Sequence, residues 1–240
     1  MKSNYLLYKL KNNLPNFFTL LNLLSGTLAI MFVFNEQYWT AFYLVLLGIF
    51  FDFIDGMVAR LTRTSSELGL QLDSMADLVT SGMVPAFFLM KIWKNIFDQS
   101  LLYLFPLLIV LGSAWRLAKF NIDSKQKSHF IGLPTPSNAL LLMSVGFIFL
   151  TEPESSIWHQ VLSHPWAPVL ITLLSVWLLN AGLPLISLKI SSGNKKPNVH
   201  AIVLIIISAL LISIMKFKAA PIILGIYILL SLHYFKIFKH

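Results

Sequence analysis

The chain has 240 residues, 57% of them hydrophobic and only 12% charged, against about 25% charged in soluble domains, which excludes an ordinary soluble fold and indicates a multi-pass membrane protein. It contains no cysteine, so disulfides, thiolate metal ligands and a cysteine nucleophile are excluded as well. The net charge of +8 raises the question of nucleic acid, but the Lys and Arg residues are spread over short connections, and basic loops facing anionic lipid account for them without a nucleic-acid partner.

The N-terminal segment MKSNYLLYKLKNNLPN carries lysines and runs into an apolar stretch with no small-residue cleavage site, so no removable signal peptide is expected. A spanning helix takes about 20 mostly apolar residues. On that basis spans are expected at 17–35, 38–60, 72–93, 101–120, 136–151, 168–188, 199–215 and 219–235. The expected fold is an all-α polytopic membrane bundle of about eight helices in one domain, 1–240. Its core covers 14–190, and two additional spans fill 199–236.

Orientation follows from the positive charges, which favour the cytoplasmic side. With the N-terminus inside, Lys2, Lys9, Lys11, Arg60, Arg63, Arg116, Lys119, Lys125, Lys127, Lys189, Lys195, Lys196, Lys236 and Lys239 lie at the inner face. Lys91, Lys94, Lys216 and Lys218 lie outside, together with Glu36, Asp98, Glu152 and Glu154. N-in and C-in topology in a bacterial cell membrane is the expectation.

In a chain of only ten acidic residues, four aspartates fall within DFIDGMVARLTRTSSELGLQLDSMAD, at the joint between the second and third spans. Asp52 and Asp55 are three apart and Asp73 and Asp77 four apart, so each pair shares one face if its segment is helical. Single aspartates near helix ends are commonly caps, but the flanks LVLLGIFFDFI and LVTSGMVPAFFLM put Asp55 and Asp77 in apolar surroundings. Hard cations such as Mg²⁺ and Mn²⁺ take carboxylate oxygens, and four carboxylates suffice to hold two ions about 4 Å apart, a clamp for phosphate oxygens. Gly56, Ala59 and Gly69 leave room beside the carboxylates, and Arg60 and Ser66 can donate to phosphate. The inferred ligand carries a pyrophosphate. A cation or proton path in a transporter is the alternative; it requires acidic or polar residues at depth in other spans, and those spans are expected to be nearly free of them. Gly48 and Gly146 are expected to be helix-packing positions. His129, His159, His164, His200, His233 and His240 show no metal-ligand spacing.

Written out, Asp52-x₂-Asp55-Gly56-x₂-Ala59-Arg60-x₈-Gly69-x₃-Asp73-x₃-Asp77 resembles the signature of the CDP-alcohol phosphatidyltransferase family in every defined position. The resemblance implies a core of six spans, a divalent-metal pair near the cytoplasmic face, and transfer of a phosphatidyl group from a CDP-linked lipid to an alcohol with release of CMP. It assigns Asp52, Asp55, Asp73 and Asp77 to two Mg²⁺ or Mn²⁺ ions, and Gly56, Ala59, Arg60, Ser66 and Gly69 to the CDP-lipid. Asp77 is also the implied general base, and a homodimer is implied.

Three flanking stretches are similar to the phosphatidylserine synthase branch: 14–26 with Asn22, 71–86, and 116–121. So is 130–136, FIGLPTP. CDP-diacylglycerol and L-serine are the substrates that this branch implies, with glycerol 3-phosphate or inositol as alternative acceptors. Lys119 stands where the branch commonly has arginine, and Thr80-Ser81 where Ser-Phe is frequent. Arg116 is a candidate partner for the acceptor's carboxylate, with Asn121 beside it, although an interfacial arginine would look the same. Asn16 and Thr19 are candidate ligands of the CDP-lipid or N-caps of the first span. Gly132–Pro136 is either a loop closing over the acceptor or a helix start.

Overall fold

A computed structural model describes residues 2–62, 64, 66–122, 130–185 and 199–238. The loop residues Arg63, Lys125, Lys127, His129, Lys189, Lys195 and Lys196, and Lys239 and His240, lie outside the described residues, as do the side chains of Lys2, Lys9, Lys11, His200 and Lys236. Among the described residues the fold is all-α apart from one two-residue strand pair. Long apolar helices cover Asn13–Phe34, Tyr38–Thr62, Glu67–Lys94 and Leu101–Ile122, with Thr135–Thr151 and Ala167–Asn180 shorter and a last apolar stretch at Ile202–Tyr234.

Helix α1 (Lys2–Phe34) begins well before residue 17, where the first span was expected. Pro15 lies inside it, so neither Asn16 nor Thr19 is an N-cap. Helix α2 (Tyr38–Thr62) packs along α1 more extensively than any other pair of elements. Helix α3 (Glu67–Asp77) starts at Ser66, whose hydroxyl accepts from the Gly69 N–H at 3.0 Å. That hydrogen bond satisfies one of the free donors of the first turn.

The third span does not run as a plain α-helix. Residues Leu78–Met83 form a π-helical turn before α4 (Val84–Lys94), and the Val84 N–H reaches back to the Val79 carbonyl. Pro85 explains the widening: its ring lacks a donor and would crowd the carbonyl four residues back in an α-helix. After a 3₁₀ segment (Leu101–Leu107) containing Pro106, α5 (Leu108–Ile122) returns toward the aspartates.

Strand β1 (Phe130–Ile131) leads into α6 (Thr135–Thr151), which Pro134 and Pro136 start. Pro at the first turn costs no intrahelical bond, so 132–136 forms a helix start. A short α7 (Ile157–Leu162) precedes α8 (Ala167–Asn180). The sixth span was expected to reach 188, but it ends at Asn180. Pro184 cannot extend the helix, and β2 (Pro184–Leu185) pairs antiparallel with β1 instead. The last apolar stretch divides into α9 (Val199–Met215) and α10 (Ala219–Phe238), separated at Lys216, where φ is 50°.

The main core, built on Phe88, Leu89, Ile92, Trp93, Ile109, Met143 and Phe147, lies in the half of the bundle away from the aspartates. There the ion pairs Lys91–Glu36 (3.3 Å) and Lys218–Glu152 (2.9 Å) form. Each joins residues that the charge pattern assigned to one membrane face. Gly146 packs where a Cβ would meet Ile92 Cδ1 at 2.9 Å, consistent with a packing glycine.

Candidate active site

Three carboxylates converge where α2 meets α3. One oxygen each from Asp52, Asp55 and Asp73 lies within 4.8 Å of the other two. Asp55 is buried, and Asp52 and Asp73 are half-buried. The spacing of three along α2 puts Asp52 and Asp55 one above the other, and the capped start of α3 brings Asp73 against them. Like charges this close, with little water to screen them, are stable together when a cation bridges their oxygens. The all-oxygen donor set suits Mg²⁺ or Mn²⁺, so these residues fit a divalent ion.

Asp77 stands one turn beyond Asp73, at the end of α3, close enough to interact with Asp52 and Asp55. It is outside the tight group of three. The Thr135 hydroxyl at the start of α6 donates to Asp77 Oδ2 at 3.3 Å, and Asn22 on α1 faces the same carboxylate. Arg116 on α5 is buried and feels the Asp77 charge without forming an ion pair with it. Its Nε has no hydrogen-bond partner in the structure.

Helix α1 serves both ends of the aspartate group. Thr19 is buried and its Oγ1 lies 2.6 Å from Asp55 Oδ2 and 3.1 Å from the Pro15 carbonyl. A hydroxyl has one hydrogen, and the shorter, charge-assisted bond to the carboxylate is the stronger of the two. Asn22, one turn on, faces Asp77. The close approach of α1, α2 and the π-turn depends on glycine. A Cβ at Gly48 would lie 2.6 Å from Thr80 Cγ2 and 2.8 Å from Asn22 Oδ1, and one at Gly26 would overlap the Thr80 side chain. Thr80 completes the joint by donating to the Asn22 carbonyl at 3.0 Å.

The residues expected to hold the CDP-lipid divide into two places. Asn16, Ser66 and Gly69 cluster at the start of α3, where a Cβ on Gly69 would sit 2.9 Å from Asn16 Oδ1 and 3.1 Å from Ser66 Oγ. On α2, the space beside Gly56 is open, with nothing within 4 Å of where its Cβ would be. Ala59 is half-buried and Arg60 is exposed at the last turn of the same helix. Thr19 joins Asp55 rather than either group.

The two acceptor candidates separate. Arg116 faces Asp77, whereas Asn121 donates to Ser74 Oγ at 2.9 Å and lies 3.5 Å from Gln71 Oε1. Asn121 therefore ties α5 to α3. Thr135 was legible only as part of the FIGLPTP stretch, and its contact with Asp77 joins residues 58 apart.

The expectation that the other spans are nearly free of buried polar groups is corrected. Ser113, Asn138, Thr172 and Ser175 are all buried. Ser175 donates to Asn138 Oδ1 at 2.9 Å, joining α8 to α6, and Asn180 donates to the Gly112 carbonyl at 3.2 Å, joining α8 to α5. These neutral hydrogen bonds hold helices together where lipid supplies no hydrophobic drive between them. None of the four is acidic.

Residues 12–178 match the family model described as CDP-alcohol phosphatidyltransferase. The chain is 40% identical over 134 residues to a CDP-diacylglycerol–serine O-phosphatidyltransferase of Methanocaldococcus jannaschii, covering 56% of this chain and 59% of that protein. A Bacillus subtilis protein of the same description is 32% identical over 145 residues, 58% of this chain and 77% of its own. A third, from Mycobacterium bovis, is 29% identical over 229 residues, 90% of this chain and 72% of its own. The match to the archaeal relative thus spans little more than half of that protein's length.

Proposed function

The chain belongs to the CDP-alcohol phosphatidyltransferase family, and from that premise we propose that it transfers the phosphatidyl group of CDP-diacylglycerol to L-serine, releasing CMP. The observation that carries this reading is the convergence of Asp52, Asp55 and Asp73 with Asp77 one turn away and buried Arg116 facing it. The names of the relatives support serine as acceptor.

Asp52, Asp55, Asp73 and Asp77 would hold two Mg²⁺ or Mn²⁺ ions. When bound, such ions neutralise phosphate oxygens and stabilise charge on the departing CMP. Gly56 leaves the space through which the pyrophosphate reaches the carboxylates, and Arg60 supplies a planar donor fork at its edge. Asn16, Ala59, Ser66 and Gly69 line the approach of the CDP-lipid. Thr19 holds Asp55 in orientation.

The serine hydroxyl oxygen attacks the β-phosphorus, a new P–O bond forms, and the bond to the bridging oxygen breaks with its electron pair leaving on CMP. Asp77 takes the hydroxyl proton, oriented by Thr135. Arg116 pairs with the serine carboxylate, and Asn121 acts on the acceptor only through the α3–α5 tie. On the basis of the loop charges, the N- and C-termini and this site face the cytoplasm. A homodimer is proposed from family resemblance alone, and mass measurement of the purified protein tests it.

Purified protein supplied with CDP-diacylglycerol, Mn²⁺ and L-serine, glycerol 3-phosphate or inositol in turn decides the acceptor. CMP release with serine alone is expected. Turnover with either other alcohol and none with serine would overturn the acceptor assignment, and ion flux without CMP release would overturn the enzyme.

A further inference from the structure

The helix α10 lies beyond the family match, which ends at residue 178, and most of its described side chains are half-buried. Its inward contacts are informative, because between helices in lipid only packing and polar contacts favour association. Leu224, Tyr227 and Ile228 of α10 pack on a separate cluster of Leu133, Leu178 and Leu185. Leu133 and Leu185 are 1% exposed.

That cluster is stitched to the ends of α6 and α8 by backbone. The Gly132 N–H donates to the Leu183 carbonyl at 3.0 Å and the Leu133 N–H to the Leu178 carbonyl at 2.9 Å, beside the β1–β2 pair. Gly132 has φ +76°, and a Cβ there would meet the Leu179 carbonyl oxygen at 2.5 Å, so the turn requires glycine. From Leu133 the chain passes through Pro134, whose φ is fixed by its ring, directly to Thr135 and its bond to Asp77. At the other end of α6, Phe217 stacks on Phe147 with ring centroids 4.7 Å apart, and Lys218 pairs with Glu152 at 2.9 Å. The C-terminal hairpin grips α6 at both ends.

We propose that α10 is a positioning element of the catalytic centre: Leu224, Tyr227 and Ile228 hold the Leu133–Thr135 segment so that the Thr135 hydroxyl orients Asp77. This rests on the reading of Asp77 as the proton acceptor. Orienting partners of this kind are worth about 10–100-fold when removed, and the lever from Leu133 to Thr135 is two residues long.

A double-mutant cycle on the full chain tests it, with Thr135→Val on one side and Leu224→Ala plus Ile228→Ala on the other. Turnover is read as CMP release and normalised to protein that still binds Mn²⁺. Thr135→Val is expected to lower kcat about tenfold with KM for CDP-diacylglycerol within about twofold, and Thr135→Ser to restore most of it. The α10 pair is expected to lower kcat severalfold, and the triple variant to be no slower than Thr135→Val, because both changes remove the same interaction. Parental kcat in the α10 pair, or losses that multiply in the triple variant, overturns the proposal. If the α10 pair does not yield folded protein, Ile228→Val enters the same cycle with the same criteria. An inactive parent protein would instead count against the proposed function, not against the coupling.

Discussion

The Thr19 hydroxyl meets the Asp55 carboxylate at 2.6 Å inside the bundle, bridging α1 and α2 where the aspartates converge. Because Asp55 is one of the three grouped carboxylates, the role proposed for Thr19 is to aim a metal ligand. Thr19→Val keeps the shape and removes the donor. It is expected to raise the Mn²⁺ concentration for half-maximal CMP release by about 10–100-fold, with Thr19→Ser near the parent. A rise in KM for CDP-diacylglycerol with unchanged Mn²⁺ dependence would assign the hydroxyl to the lipid instead.

Gly48 and Gly56 lie on one helix and predict opposite outcomes. A methyl at Gly48 would press on Thr80 Cγ2 and Asn22 Oδ1, whereas at Gly56 it would meet nothing. Gly48→Ala is therefore expected to destabilise by about 1–3 kcal/mol, as overpacking does, and to lower turnover by moving the π-turn that follows Asp77. Gly56→Ala is expected to leave thermal stability within about 0.5 kcal/mol of the parent while raising KM for CDP-diacylglycerol. Equal stability losses in the two variants would contradict the open space beside Gly56.

Arg116 and Asn121 sit on the same helix and separate in the same way. Arg116→Met removes the buried cation facing Asp77 and is expected to raise KM for serine at least tenfold. Asn121→Ala loses the tie to Ser74, worth about 1 kcal/mol for a typical hydrogen bond, and is expected to lower the melting temperature with KM for serine unchanged. The reverse pattern would return the acceptor role to Asn121.

How much of this was legible in the sequence depends on the range of the signal. The grouping of Asp52, Asp55 and Asp73 could be read because helical spacing puts each pair on one face, and only the meeting of α2 and α3 had to be supplied. The last two spans were legible because their apolar runs are long and Lys216–Lys218 interrupts them. Asn180 as the end of α8 was not, since the mostly apolar run continues to 188 and only Asn180, Gly182 and Pro184 mark the change to strand. The π-turn was hidden for the same reason: LVTSGM is apolar enough to continue a span, and the effect of Pro85 on the preceding turn does not alter hydropathy. Thr135 and Asp77, or Ser175 and Asn138, are joined only by tertiary packing, which no local period encodes.

Asp77 was assigned from the motif both as metal ligand and as proton acceptor, and the geometry separates the two roles enough to test them. The tight group contains Asp52, Asp55 and Asp73, while Asp77 is held by Thr135 from the other side. A ligand that binds only the folded protein stabilises it by about 2.7 kcal/mol at a hundredfold excess over its dissociation constant, so Mn²⁺ should raise the melting temperature of the parent. Asp73→Asn is expected to abolish that rise and turnover together. Asp77→Asn is expected to keep most of the rise while CMP release falls by about 10²–10⁴, the usual worth of a positioned general base. If Asp77→Asn removes the Mn²⁺ stabilisation as completely as Asp73→Asn does, Asp77 is a ligand first, and the proton must leave the serine hydroxyl by another route.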